Sequence, residues 1–272
     1  MKTALVLSSY VSASRVGATA SAFCLRRLGI ETVVLPTTVL GRHPGWGPPG
    51  GKALETSHLE DMWRAIKLQK LNIDAVMTGY LASDAHVALA SKIISDVKTQ
   101  NPEALILVDP VMGDHGQLYI PEIRAQALVD TLIPQADWIT PNFWELSYMN
   151  HKEKIFPLSR LAARLKMLPT NCLVTSVPFD NGIGALLSAD DKLYRVHHKK
   201  FETVPHGGGD ALAGIFLAHL LNGVGPQDSF ARAVSSIFSI LSAANASDAG
   251  ELPLIREQHL LTDPYDLTVD AI

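Results

Sequence analysis

The chain holds little cysteine, little charge and few aromatics. Among 272 residues there are two cysteines, with charged residues at 18% and aromatic residues at 7%. Two cysteines cannot by themselves build a disulfide framework or a zinc cage. Cys24 and Cys172 lie in the apolar runs Ala22-Phe23-Cys24-Leu25 and Cys172-Leu173-Val174, and read as small, reduced core residues. A basic surplus is missing too: 23 Lys+Arg face 27 Asp+Glu, a net charge of −4. Nothing electrostatic therefore points to nucleic acid. No apolar run approaches the ~20 residues a membrane helix needs. The opening Ala4-Leu5-Val6-Leu7 is too short for a signal-peptide core, so a cytoplasmic protein with no membrane partner is expected. His-x-x-Glu-His, Cys-x-x-Cys and Gly-x-Ser-x-Gly are absent, as is Gly-x-Gly-x-x-Gly after the first apolar run. Gly51-Lys52 resembles the end of a P-loop, but Trp46 stands at its first glycine and Ala53 replaces its Ser/Thr.

What is present is a hydrophobic content of 47% arranged in alternation. Short, β-rich runs are expected as strands at Ala4–Leu7, Glu31–Leu35, Asp74–Thr78, Ala104–Val108, Trp138–Thr140, Cys172–Ser176, Gly182–Ser188 and Leu193–His197. Most are continuously apolar, as strands covered on both faces are. Segments of helical period fall between them. Val16 to Leu28 ends at Gly29; Ser57 to Lys70 opens on a capping-box spacing, Ser57 to Glu60, with Leu59, Met62, Trp63 and Ile66 on one stripe. Further helices are expected over Ser83–Val97, Leu158–Leu168, Asp210–Leu221 and Asp228–Ala244, the last buried on most faces. This pattern predicts an α/β fold with a mostly parallel central sheet, right-handed crossovers, and an edge hairpin turning through Ala189-Asp190-Asp191-Lys192. Residues 1–272 are expected to form one domain. Thr37–Lys52, rich in Gly and Pro, is expected to lack regular structure and to act as a lid.

Three strand-end loops carry polar groups. Val204-Pro205-His206-Gly207-Gly208-Gly209-Asp210 opens an apolar helix, and its glycines can turn backbone N–H groups toward an anion. Asp210 is either a plain N-cap or a base beside that cradle. Val108-Asp109-Pro110-Val111-Met112-Gly113-Asp114 follows a buried strand, where ligands of open α/β sheets bind. On their own, Asp109 and Asp114 read first as turn-forming residues around Pro and Gly. In Thr140-Pro141-Asn142-Phe143-Trp144-Glu145, Asn142 and Glu145 share a face and could hold a hydrated Mg²⁺, or form a capping-box variant. The coincidence of carboxylates, an amide and a glycine-rich helix start on one sheet edge is what phosphoryl transfer requires.

With these motifs the sequence resembles the ribokinase superfamily and, within it, the pyridoxal kinase branch. The resemblance runs in order through Ser8-Ser9-Tyr10, Val16-Gly17, Arg27-Leu28-Gly29, Thr78-Gly79-Tyr80, Asp109-Pro110-Val111-Met112-Gly113-Asp114, Thr140-Pro141-Asn142 with Glu145, Val174-Thr175-Ser176 and Gly207-Gly208-Gly209-Asp210. It implies a ribokinase-like three-layer α/β/α sandwich and transfer of the ATP γ-phosphate to the 5′-hydroxymethyl group of pyridoxal, pyridoxine or pyridoxamine, the salvage route to pyridoxal 5′-phosphate. By the same resemblance Asp210 would be the base and the N–H groups of Gly207, Gly208 and Gly209 would stabilise developing charge. Asp109 and Glu145, with Asn142 through water, would support Mg²⁺ and the phosphates. Asp114, Thr175 and Ser176 would line the ATP side, and Ser9, His43 and Tyr80 the pyridoxal side. A homodimer and a monovalent cation such as K⁺ are implied as well. The sequence departs from the family at Gly208, where Thr is usual, at Pro44, where Thr is common, and at Ala18, where Asn is usual. Two alternatives follow: a kinase for another small hydroxymethyl compound, such as hydroxymethylpyrimidine or a sugar, and a homologue that binds pyridoxal without turnover. His206 reads as a solvated loop histidine.

Overall fold

The structure is a computed structural model that describes residues 1–150 and 158–272. Its first half runs β1 (Thr3–Val11), α1 (Ala18–Arg27), β2 (Glu31–Leu40), β3 (Gly51–Ala53), α2 (Thr56–Leu68), β4 (Ala75–Thr78), α3 (Asp84–Gln100) and β5 (Leu105–Val108). A small hairpin, β6 (Gly113–Asp114) and β7 (Gln117–Leu118), leads to α4 (Glu122–Thr131), β8 (Trp138–Ile139) and α5 (Phe143–Met149). The rest comprises α6 (Leu158–Leu165), β9 (Asn171–Phe179), β10 (Gly182–Ala189), β11 (Lys192–His198), α7 (Gly208–Leu221), α8 (Pro226–Ala246) and β12 (Asp270–Ala271).

Ten strands form one sheet in the order β12-β11-β10-β9-β8-β5-β4-β1-β2-β3. From β2 to β9 every pairing is parallel, while β3 at one edge and β10, β11 and β12 toward the other are antiparallel. Strand alternation explains the layers. In β1, Ala4 and Val6 face a core shared with α1, α7 and α8, whereas Leu5 and Leu7 face one shared with α2, α3, α4 and α6. Both faces are therefore apolar, and each fully buried Leu or Ile stabilises the fold by roughly 1.5–3 kcal/mol. The α/β sandwich is as expected, and so is the buried character of α8.

Several local expectations are corrected. Thr37–Lys52 is not structureless: Thr38, Val39 and Leu40 pair with Ala53, Lys52 and Gly51, and Pro44–Trp46 form a single 3₁₀ turn. β-branched Thr37, Thr38 and Val39 prolong the strand that was expected to stop at Leu35. The Ser57–Glu60 capping box does not form, because α2 starts a residue earlier behind Glu55, and Met62 is exposed. The β10–β11 hairpin turns through Asp190 and Asp191, both at positive φ, as a two-residue turn demands. It is not the edge, because β12 pairs outside it. α6 ends at Leu165, short of Leu168.

Candidate active site

The chain enters the sheet at β1, goes to β2 on one side, and then crosses to β4 on the other. The switch point lies between β1 and β4, and the crevice beyond their carboxyl ends is where such sheets bind ligands. Register brings four residues there side by side. Gly79 N–H bonds Leu7 O, Asp109 N–H bonds Thr78 O, and Thr140 N–H bonds Val108 O, so Ser8, Gly79, Asp109 and Thr140 make one row. By strand alternation the row looks toward the α1/α7 layer. A Cβ on Gly79 would stand 2.5 Å from Ser8 Oγ and 3.8 Å from Asp210 Oδ1, so the row is closed over by the start of α7.

That helix start is built by glycine. Gly207 has φ 94°, and a Cβ there would lie 2.0 Å from the Arg15 carbonyl. Gly208 and Gly209 already belong to the helix, so Asp210 is the third helical residue and not its N-cap. Its carboxylate instead faces the Gly17 N–H. Burial, only partly opposed by that N–H, pushes the Asp210 carboxyl up to about 6. Gly17 has its own reason: at φ 56° it is packed so closely on Ser9 that a Cβ would meet Ser9 Oγ at 2.2 Å.

Asp109 is buried, and its carboxyl is raised well above the ordinary range by burial first, then by the charges of Glu145 and Asp210. The nearby Thr140 hydroxyl opposes this slightly, although it reaches no hydrogen-bond geometry. Glu145 is pushed up to about 7 by burial, against bonds from three backbone N–H groups. Its Oε1 accepts from Met112 N at 2.9 Å and Gly113 N at 3.3 Å, and its Oε2 from Asn142 N at 2.8 Å. Asn142 Oδ1 accepts from Glu145 N, completing a capping box, and Asn142 Nδ2 donates to Gly113 O. The capping-box reading is thus the one realised. Asn142 and Glu145 do not offer a free shared face; they bolt the 109–114 loop to α5.

Asp114 lies at the loop's far end, half-buried, with Oδ1 accepting from His115 N. Thr175 is bridged to Asn142 and its N–H bonds Pro141 O, and exposed Ser176 follows at φ 57°, so both lie beside the turn that opens α5. Ser9 lies within β1, buried against Gly17, and Tyr80 follows the end of β4, its O accepting from Thr37 Oγ1. His43 is carried by the β2–β3 connection, its N–H bonded to Ser14 Oγ. Reading the sequence missed Ser8 and Thr140, whose buried hydroxyls find no partner among the described residues. Their place as the first polar residue after an apolar run was the available signal.

The donor set suits Mg²⁺. Asp109 is a buried carboxylate beside two like charges, and hard oxygens are what this cation prefers. No cluster of three or more His, Cys, Asp or Glu able to hold a metal exists among the described residues. A cation completed by phosphate oxygens and water would fit that arrangement, with Asp109 as the group to hold it, since the Glu145 oxygens are already engaged by backbone N–H groups.

The phosphomethylpyrimidine kinase family profile matches residues 50–254. The chain is 30% identical over 272 residues to pyridoxal kinase PdxY of Leifsonia xyli, covering 96% of each. It is 29% identical to the pyridoxine/pyridoxal/pyridoxamine kinase of Bordetella avium, over 90% of this chain and 86% of that one. Among solved structures, pyridoxal kinase from Entamoeba histolytica superposes with a TM-score of 0.91 at 26% identity, covering 100% of both chains.

Proposed function

We propose that this chain, which belongs to the phosphomethylpyrimidine kinase family and within it to the pyridoxal kinases, transfers the γ-phosphate of ATP to the 5′-hydroxymethyl group of vitamin B6 vitamers. The observation that carries the reading is the convergence of Asp210, Asp109 and a glycine-built helix start at the switch point of the sheet.

The geometry of the helix start and the family resemblance together support these roles. Asp210, facing the Gly17 N–H and raised to about 6, accepts the hydroxyl proton near neutral pH. The N–H groups of Gly208, Gly209 and Asp210 lack intrahelical partners by the rule of helix starts, and with Gly207 N–H they face the transferring phosphoryl group. The dipole of the 14-residue helix α7 adds to that field. Bound Mg²⁺ would neutralise phosphate charge, with Asp109 as its protein anchor. Glu145 and Asn142 fix the loop that aims Asp109. Asp114, Thr175 and Ser176 line the nucleotide side, while Ser9, His43 and Tyr80 line the vitamer side.

One kinase domain, a homodimer and a cytoplasmic location belong to the proposal. Among the described residues no helix is long and apolar enough to cross a membrane. Coupled ADP release with pyridoxal, pyridoxine, pyridoxamine and hydroxymethylpyrimidine tests it, with and without Mg²⁺ and with K⁺ exchanged for Na⁺. Turnover of a B6 vitamer above the pyrimidine supports the reading. Preference for the pyrimidine would favour the second reading, which the family's name alone supports.

A further inference from the structure

At the mouth of the crevice four segments meet. The β2–β3 connection is held to the 12–15 stretch by Ser12 N to Leu40 O at 2.9 Å, Ala13 N to Gly41 O at 2.9 Å and His43 N to Ser14 Oγ at 3.2 Å. The same stretch carries Arg15, whose carbonyl is pressed on Gly207 and whose N–H bonds Glu251 Oε2 at 3.0 Å. On the far side of the connection the fourth segment reappears, with Trp46 against Gly250. Two imidazoles close the ring. His43, from the connection, and His206, from the glycine turn, have centroids 4.3 Å apart at 31°. Gly45 fits beside both: a Cβ there would stand 2.9 Å from His43 Nδ1 and 3.0 Å from His206 Nε2. Its N–H also bonds His43 Nδ1 at 3.1 Å, which fixes that ring's rotation.

We propose that His206 is a positioning residue: by packing on His43 it clasps the β2–β3 connection over the vitamer side of the crevice and ties it to the turn that binds the phosphoryl group. The inference rests on the placing of His43 on the vitamer side. His206 is exposed and precedes the turn by one residue, so nothing in the glycine geometry requires an aromatic ring there. Its ring finds its neighbours in His43 and Gly45. A histidine pair of this kind holds a loop by ring packing, not by charge, because like-charged rings would repel. Burial, then His206, hold the His43 imidazole below its usual range against the opposing charge of Glu251.

The test pairs a ligand-free readout with a kinetic one. Trypsin is applied to the protein without substrate, following the cut after Arg42 at the base of the clasp. In His206→Ala and in Gly45→Ala that cut is expected several-fold faster, with cleavage elsewhere unchanged and the melting temperature retained. His206→Phe, which keeps a packing ring, is expected to cut like the parent. In kinetics His206→Ala raises KM for pyridoxal about two- to tenfold, the range of one aromatic pair. Its kcat and its KM for ATP stay within about twofold, and adding it to His43→Ala brings no further loss. An unchanged Arg42 cut in His206→Ala, a failed Phe rescue or additive losses would overturn the clasp. Should the parent enzyme turn over no vitamer, the functional reading falls, while the trypsin result still decides the clasp.

Discussion

Asp74 and Asp109 are equally buried, each with 7% of its surface exposed, and sit at opposite edges of the same parallel sheet. They are treated in opposite ways. At the amino edge burial would raise Asp74, but bonds from Lys2 Nζ at 2.9 Å, Thr3 N at 2.9 Å and Asn72 Nδ2 at 3.1 Å outweigh it, and the carboxyl is held below its ordinary range. At the carboxyl edge burial, with Glu145 and Asp210 adding to it, pushes Asp109 well above that range. A polar cleft of about 380 Å³ lined by Lys2, Asn72, Asp74 and Asn101 adjoins the first site, yet the Asp74 carboxylate there is already engaged by Lys2, Thr3 and Asn72. Burial therefore does not mark a functional carboxylate. Burial without compensation does, since an uncompensated buried charge persists where a ligand will complete it.

The largest expected effect belongs to the least compensated proton acceptor. Asp210→Asn should lower kcat by about 10²–10⁴-fold, measured by ADP release, while circular dichroism and melting temperature stay near the parent's. Retained turnover would remove Asp210 as the base. Next comes a cross-comparison of the two edges. Asp74→Ala should destabilise the protein by about 1–2 kcal/mol through the lost Thr3 bond, with half-exposed Lys2 adding little, and leave kcat intact. Asp109→Asn should do the reverse, abolishing most activity and stabilising the ligand-free protein. The signs follow from linkage. A carboxyl raised in the folded state contributes stability below the ordinary carboxylate range and loses it as pH rises through the raised value, so the gain from Asp109→Asn is near zero at pH 4 and largest at pH 8. Asp74, lowered in the folded state, contributes above that range and loses its contribution as pH falls through the lowered value, so the cost of Asp74→Ala shrinks toward pH 3. Melting curves at pH 4, 6 and 8 show whether the two variants diverge as required.

A smaller effect is read on the enzyme without mutation. Because burial pushes Asp210 up to about 6, kcat/KM should fall below that pH with an acid limb near 6. A limb near the ordinary carboxylate value would mean that Asp210 is compensated as Asp74 is. The Glu145 carboxyl, raised to about 7, enters no proton step and should leave this limb in place when changed to Gln, though the 109–114 loop would loosen.

The same contrast explains what could be read in advance. Alternation of apolar strands with helical segments fixed the layers, because a residue such as Leu5 has nowhere to go but a two-sided core. The loops bearing Asp109, Asn142, Glu145 and Asp210 were legible since each follows a buried strand or opens a helix. Their division of labour was not. Whether Glu145 binds a metal or spends its oxygens on Met112, Gly113 and Asn142 depends on N–H groups 32 and 33 residues away in the chain, invisible to spacing. Ser8 escaped notice because its significance lies in register with Gly79, and His206 because its partner is carried on another segment. The extension of β2 through Leu40 was hidden by the glycines beyond it, although Thr37, Thr38 and Val39 are good strand formers.

The smallest effect concerns two adjacent glycines that the same logic separates. At Gly207 a positive φ of 94° and the Arg15 carbonyl 2.0 Å from a Cβ leave no room for another residue. At Gly208 no atom lies within 4 Å of where a Cβ would stand, and the residue is already helical. Gly208→Thr, which restores the residue usual in the resembling family, should change stability by less than about 0.5 kcal/mol, because Thr is only modestly better than Gly in a helix. Its hydroxyl would stand at the phosphate-facing turn. One added hydrogen bond is worth about 0.5–1.5 kcal/mol, or roughly two- to tenfold in kcat/KM for ATP. A gain of that size with KM for pyridoxal unchanged would assign the turn to the nucleotide. A change in KM for pyridoxal alone would instead place residue 208 on the vitamer side and move the boundary between the two halves of the crevice.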